Sequence, residues 1–389
     1  LFSKLRSILC KVFLFTLLFL IVGITTIFGV ETWQKTFGGN NVDYGRYVLT
    51  INDGFLAVGS TFSYGAGGFD VYVLKIDIHG NKLWYKTFGG QADDFAFCVV
   101  KARGGYLIAG WTKSFGAGKS DVYILKIDED GNRLWEKTYG GPEDDYAYQT
   151  LAIDNGFVIV GSTRSFEGKS SQAYVIKIDE EGKTFWEKNY GTESSEGLFS
   201  VEKTVDGYLA VGQSNKSGSF DAYFLWLSEN GEMIKEEYRG GPYEDFIYRI
   251  KRTTDGGYIA VGASESPQYN RNFYVVRLNN AGKLSWERIY HEPKPDVARC
   301  VLEMTDGYLV FGSTNSYGAG YDDFYLMKID NKGEKLWSKT YGGKGFDVGY
   351  CINTVPAGGF IMIGDTTSTG SGGFDIYILR VDELGGLSN

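Results

Sequence analysis

The stretch "IYILRVDELGGLSN" (376–389) repeats the phrase "VYILKIDEDGNRLW" (122–135), but stops where the earlier copy has its tryptophan. Tryptophans at 33, 84, 135, 186, 286 and 337 are separated by 51, 51, 51, 100 and 51 residues. The long step hides one more copy, "MIKEEYRGG" (233–241), with Lys235 in the tryptophan slot. A tyrosine recurs at 72, 123, 174, 223, 274, 325 and 377, and a glycine at 59, 110, 161, 212, 262, 312 and 364. Repetition at a fixed period marks a chain built from one supersecondary unit, which cannot bury its apolar face alone.

Each unit holds four strand-like runs separated by turn chemistry. In the third unit they read "DYAYQTLAI" (145–153), "GFVIVGST" (156–163), "AYVIKID" (173–179) and "KTFWEKNYG" (183–191). The last two are joined by D-E-E-G, a short hairpin whose glycine is free to take positive φ. Four strands per unit at a period of about fifty residues predict an all-β fold, a seven-bladed β-propeller of four-stranded antiparallel blades. The blades fall at about 40–90, 91–141, 142–191, 192–241, 242–291, 292–343 and 344–389 plus 32–39.

The pattern W-x-K-T-[FY]-G-G-x-x-x-D followed by G-G-Y-I-x-x-G-x-T resembles the β-propeller repeats of bacterial and archaeal surface proteins. Its cadence is similar to WD-repeat and kelch blades, whose signature dipeptides are missing. The resemblance covers 32–389 and implies a fold, not an activity. By analogy with WD-type blades, the first strand is innermost and the fourth lies at the rim. The last unit then lacks a fourth strand, and "TWQKTFGG" (32–39) is a fourth strand without a blade. We expect 32–39 to complete blade 7, closing the ring by strand pairing and removing an open edge. The glycines of "RVDELGGLSN" are expected to relax the last turn, since no strand has to follow.

Residues 1–30 read as a signal peptide or an N-terminal membrane anchor. Lys4, Arg6 and Lys11 precede an uncharged, largely apolar run at 12–30. Both alternatives place the remainder outside the cell, secreted or N-terminally anchored at the surface. A retained anchor would set the hairpin turns against the membrane and the Gly-Gly turns outward. The formal charge is −9, and without the three cations of residues 1–30 it is −12, which excludes a nucleic-acid partner. With 54 glycines, 28 tyrosines and 6 prolines, the composition suits short strands and tight turns.

An acid opens the innermost strand of every blade: Asp43, Asp94, Asp145, Glu196, Asp245, Asp296 and Asp347. Placed sevenfold at a channel mouth, these carboxylates would suit Ca²⁺. Alternatively each accepts backbone N–H groups in its own turn. A second set, Asp70, Asp121, Asp221, Asp323 and Asp375, is replaced by Gln172 and Asn272 in two blades, so an acceptor matters there more than a charge. "DEDGN" (128–132) is a hairpin turn and not a calcium loop, because Lys137 stands where the loop needs a glutamate. Cys98, Cys300 and Cys351 share one repeat position, occupied elsewhere by Tyr47, Gln149, Ser200 and Arg249. Buried free thiols or a Cys300–Cys351 bridge are both open. His79 and His291 belong to no ligand cluster, and no nucleophile elbow or Walker loop is present. No cofactor is expected beyond a possible Ca²⁺.

The repeat decays in blades 4 and 5. The turn reads "GTESSE" (191–196), the loop "SESPQYNRN" (264–272) and the next turn "HEPKPD" (291–296). These departures bring Tyr269, Arg271, His291 and Lys294 to one face as candidate binding residues. We expect a monomeric binding scaffold for a protein or glycan partner, touching the membrane only through its anchor. The alternatives are a carbohydrate-active enzyme with carboxylates near the channel, or a structural envelope protein.

Overall fold

The computed structural model of the chain describes residues 30–166, 170–191, 193–267 and 271–387. The expected signal or anchor lies outside the described residues. Among the described residues, no helix is long and apolar enough to cross a membrane.

The strands form seven four-stranded antiparallel sheets. Six sheets use consecutive strands, as in blade 3 with Asp145–Ile153, Gly156–Thr163, Gln172–Ile178 and Thr184–Tyr190. The seventh joins Asp347–Thr354, Phe360–Thr366 and Asp375–Val381 to Trp33–Phe37 from the other end of the chain. Trp33 pairs with Arg380 and Phe37 with Ile376, so the orphan strand closes the ring as expected. One face carries the D-x-x-G hairpins. The other carries the Gly-Gly turns between blades and the loops from second to third strand.

The core lies between blades. Val158, Val160, Ala173 and Val175 of blade 3 pack against Leu198, Val201, Tyr208 and Leu225 of blade 4. Second and third strands are buried on both faces, which explains their continuous apolar runs. Each valine or leucine among them contributes about 1.5–3 kcal/mol on burial.

Every innermost strand carries a β-bulge at the same place, between Gly45 and Tyr47 in blade 1 and between Ala147 and Gln149 in blade 3. The bulge accounts for the invariant glycine. A Cβ on Gly59, Gly110 or Gly161 would stand 1.7 Å from the carbonyl oxygen of Tyr44, Phe95 or Tyr146. No side chain fits so close an approach of two backbones.

The tryptophans join neighbouring blades. The indoles of Trp33, Trp186 and Trp286 each donate a 3.1 Å hydrogen bond to a hairpin carbonyl of the next blade, at Ile78, Glu229 and Asn331. Each ring lies over a hairpin glycine with positive φ: Gly80, Gly231 and Gly333. Two expectations are corrected here. Blade 4 has not lost its tryptophan: Trp226, on the third strand, pairs with Lys235 and covers Gly282. Other blades pair the same positions in reverse, as in Lys177 with Trp186. Nor is the last turn relaxed. Gly385 takes φ +70, and its carbonyl accepts from the Tyr341 hydroxyl at 2.7 Å, as Gly182 does from Tyr139 at 2.7 Å.

Candidate functional site

The seven strand-opening carboxylates are at most 3% exposed, and most are held by their own turns. Asp145 accepts from Gly141 N–H at 2.8 Å, from the Ser165 hydroxyl at 2.6 Å, and from Thr163. Asp43 and Asp347 are bound in the same way, to Gly39, Thr61 and Ser63 and to Gly343, Thr366 and Ser368. Asp94 and Asp245 accept from Gly90 and Gly241, Glu196 from Ser214, and Asp296 from Asn315 and Ser316. Burial pushes Glu196, Asp245 and Asp296 above the usual carboxylate range. Among the described residues, no group of three or more His, Cys, Asp and Glu side chains is placed to hold a metal ion.

The second acidic set fixes the loops before the third strand. Asp70, Asp323 and Asp375 accept from Ala66, Ala319 and Ser371 N–H at 2.8, 3.0 and 2.8 Å. In "DEDGN", Asp128 accepts from Asp130 and Asn132 N–H, and its bonds to Asn132 hold it below its ordinary pKa.

Of the four divergent-loop candidates, Tyr269 lies outside the described residues. Arg271 pairs with Glu244 at 3.1 Å, its guanidinium 5.1 Å from the Phe246 ring centroid. His291 lines a cleft of about 590 Å³ with Tyr243, Asp245, Pro267, Tyr274 and Glu287. Lys294 is exposed in the same turn as His291, its backbone tied to Ser316. Of the three, only His291 lines the cleft.

The cleft has a cause in the repeat. In blades 1, 2, 3 and 6 a loop ring (Tyr64, Phe115, Phe166, Tyr317) covers the invariant tyrosine, with centroids 5.7–6.0 Å apart. Pro267 replaces that ring in blade 5 and Thr369 in blade 7. Space opens over Tyr274 and also over Tyr377, where the cleft measures about 420 Å³. Comparing the copies at this position would have pointed to both clefts and also to blade 4, where Ser217 replaces the ring but Tyr238 of the fourth strand stacks on Tyr223 with centroids 5.1 Å apart.

Sequence reasoning missed two larger features. The first is an aromatic arc on the Gly-Gly face. Tyr321 stacks on Phe346 at 4.6 Å, and contacts continue through Phe374, Tyr44, Phe69, Phe95 and Trp111 to Tyr146, with successive centroids 6.4, 5.9, 5.5, 4.9, 4.5 and 5.7 Å apart. Tyr321 is 59% exposed, Phe346 is exposed, and the rest are half-buried. A contiguous, partly exposed aromatic surface of this kind suits recognition.

The second is the channel wall. The bulged residues, Arg46, Phe97, Tyr148, Phe199, Tyr248, Arg299 and Tyr350, form a band around the axis. Phe97, Tyr148, Phe199 and Tyr248 meet at 5.3–5.6 Å, and Arg299 lies 4.6 Å from the Tyr248 ring and 5.3 Å from Tyr350. Arg46 lies 4.2 Å from Tyr350 and pairs with Asp365 at 2.6 Å.

One residue further along each strand is the position of the cysteines. There the side chain reaches the backbone of the next blade. Val201 N–H donates to Gln149, and Ile250 N–H to Ser200. The Cys300 and Cys351 thiols donate to Ile352 O and Val48 O at 3.7 and 3.9 Å. Cys98, Cys300 and Cys351 are free buried thiols, and no bridge joins the last two. Tyr47 and Arg249 are too long for this latch. They meet from opposite sides of the ring, with the guanidinium 5.3 Å from the Tyr47 ring centroid.

No family model and no curated protein matches the chain. Among solved structures it is similar to the WD40 domain of coronin from Toxoplasma gondii, at 9% identity and TM-score 0.53, over 90% of this chain and 86% of that one. It is also similar to the β-propeller domain of the trilobed protease from Pyrococcus furiosus, at 11% identity and TM-score 0.47, over 88% and 96%. A third is the acylaminoacyl peptidase of Pyrococcus horikoshii, at 12% identity and TM-score 0.47, over 86% and 51%, so the chain spans about half of that enzyme. At 9% identity the likeness to the coronin domain shows the fold alone.

Proposed function

We propose that this propeller is an exported binding scaffold whose working surface is the Gly-Gly face, and whose partner is a protein at the cell surface. The observation that carries the reading is the aromatic arc from Tyr321 to Tyr146. Tyrosine, tryptophan and arginine dominate the energetics of protein recognition, because they bury large rigid surfaces while keeping a polar tip. The resemblance of the repeat to surface-protein propellers supports the location, as does the basic-then-apolar layout of residues 1–30.

Photo-crosslinking in producing cells tests the choice of face. A photoreactive side chain at Phe62 or Tyr321, both exposed on the Gly-Gly side, is expected to capture a discrete surface protein. At Leu134 or Phe185, on the rim near the hairpins, it is expected not to. Capture only from the rim would overturn the assignment. Glycan-sized adducts at Tyr321 with no protein adduct would overturn the partner class while leaving the face.

A further inference from the structure

We propose that the central channel is a receptor for a small oxyanion (a carboxylate, sulfate or phosphate), held by Arg249 of blade 5 and Arg299 of blade 6. This does not depend on the Gly-Gly face reading. Arg249 is 8% exposed, and among the described residues its guanidinium makes no ion pair or hydrogen bond; its Nε is buried without a partner. Arg299 has no ion pair either, and its Nε is also buried without a partner. A guanidinium stays charged in any folded protein, so it cannot escape burial by losing its proton. A buried charge left unpaired is strongly destabilising unless something of opposite sign sits beside it.

The chain offers little that is free to do so. Asp365 is matched by Arg46 at 2.6 Å, and Glu202, two positions below the waist, by Lys251 at 3.4 Å; half-buried Asp322 acts on Arg299, while no carboxylate acts on Arg249. The groups that act on Arg249 are Cys300, the Tyr47 phenol, held protonated by burial, Cys351 and Cys98. A hydrogen bond from Cys351, with help from the Arg249 charge, holds Cys300 below the usual thiol range, so a thiol is the one internal group that offsets this guanidinium. Arg249 is therefore left without a carboxylate partner inside a protein of net charge −9. Tyrosine rings flank both arginines, Tyr47 on Arg249 and Tyr248 and Tyr350 on Arg299. Rings on the face of a guanidinium leave its in-plane N–H fork to an acceptor, and that fork matches planar or tetrahedral oxyanions.

The test uses the full chain at constant ionic strength, with chloride replaced stepwise by phosphate, sulfate or acetate. At least one oxyanion is expected to raise Tm saturably above the chloride baseline, following a single-site isotherm. Arg249→Gln is expected to weaken that binding at least tenfold. Arg133→Gln, which removes an exposed rim cation, should leave it unchanged. Should Arg249→Gln fail to fold, Arg299→Gln and Arg249→Lys serve in its place, with the same tenfold loss expected. No saturable effect from any of the three oxyanions overturns the proposal, as does a saturable effect that these substitutions leave intact.

Discussion

Exchanging Trp226 and Lys235 asks whether the latch between blades depends on the indole or on the strand that bears it. Trp226 is 7% exposed, the Lys235 ammonium stands 3.7 Å from its ring centroid, and Gly282 of the next blade lies beneath. Trp226→Lys removes a buried indole, a loss of about 3–5 kcal/mol by comparison with aromatic truncations. Lys235→Trp forfeits a cation–π contact of about 1 kcal/mol at this half-exposed site. It also breaks the Lys235–Glu237 pair, which contributes less than about 1 kcal/mol. The double exchange restores the order used in blade 3, where Trp186 on the fourth strand covers Gly231. It is expected to recover at least half of the Trp226→Lys loss, giving a favourable coupling of about 3 kcal/mol, at the top of the range for residues in contact. Urea denaturation with a common m-value reads all four proteins. A double exchange no more stable than Trp226→Lys would refute the reasoning, and would make Trp226 a local core residue that happens to lie near the slot.

Deleting 31–39 should destabilise the whole ring, because Trp33 and Phe37 contribute about 3 kcal/mol by burial before any strand pairing is counted. Removing 387–389 should cost less, and equal melting temperatures for the two truncations would sink the closure. Burial holds Glu196, Asp245 and Asp296 above their unfolded pKa, so between the two values the native state binds more protons. Their contribution is fully present below the unfolded pKa of about 4 and is lost as pH rises through the folded value. Asp296→Asn should therefore flatten the fall in Tm as pH rises from about 4, and an unchanged slope would count against the burial argument.

The blade count, the strand order and the closure were legible because each depends on a position that all copies share. Gly59 and its six equivalents answer to the same bulge, and Tyr72 and its equivalents to the same interface. The exchange at 226 and 235 was not legible from tryptophan spacing, since it swaps two facing strands and breaks the period without breaking the contact. The acids were found by repetition, but their role needed the geometry: a carboxylate facing a channel and one facing its own turn have the same sequence. The channel band escaped for a related reason. A bulge shifts the inward alternation by one residue, so a period-two reading of "DYGRYVLTI" (43–51) mis-assigns every side chain beyond Gly45.

That shift also explains why Arg249 became a channel residue. At this position a side chain has two possible neighbours, the backbone of the next blade or the axis. Glutamine, serine and cysteine are short enough, or carry an acceptor, to satisfy the next blade locally. An arginine has five donors and no acceptor, so it cannot take the N–H that Ser200 takes from Ile250. Its length carries the charge past the strand to the axis, where it meets Tyr47. The symmetric positions solve a problem that every blade has. Arg249 and Tyr47 answer to one that exists only once in the ring, and this makes the waist of the channel, more than the drifted loops of blade 5, the place where the repeat stops being purely structural.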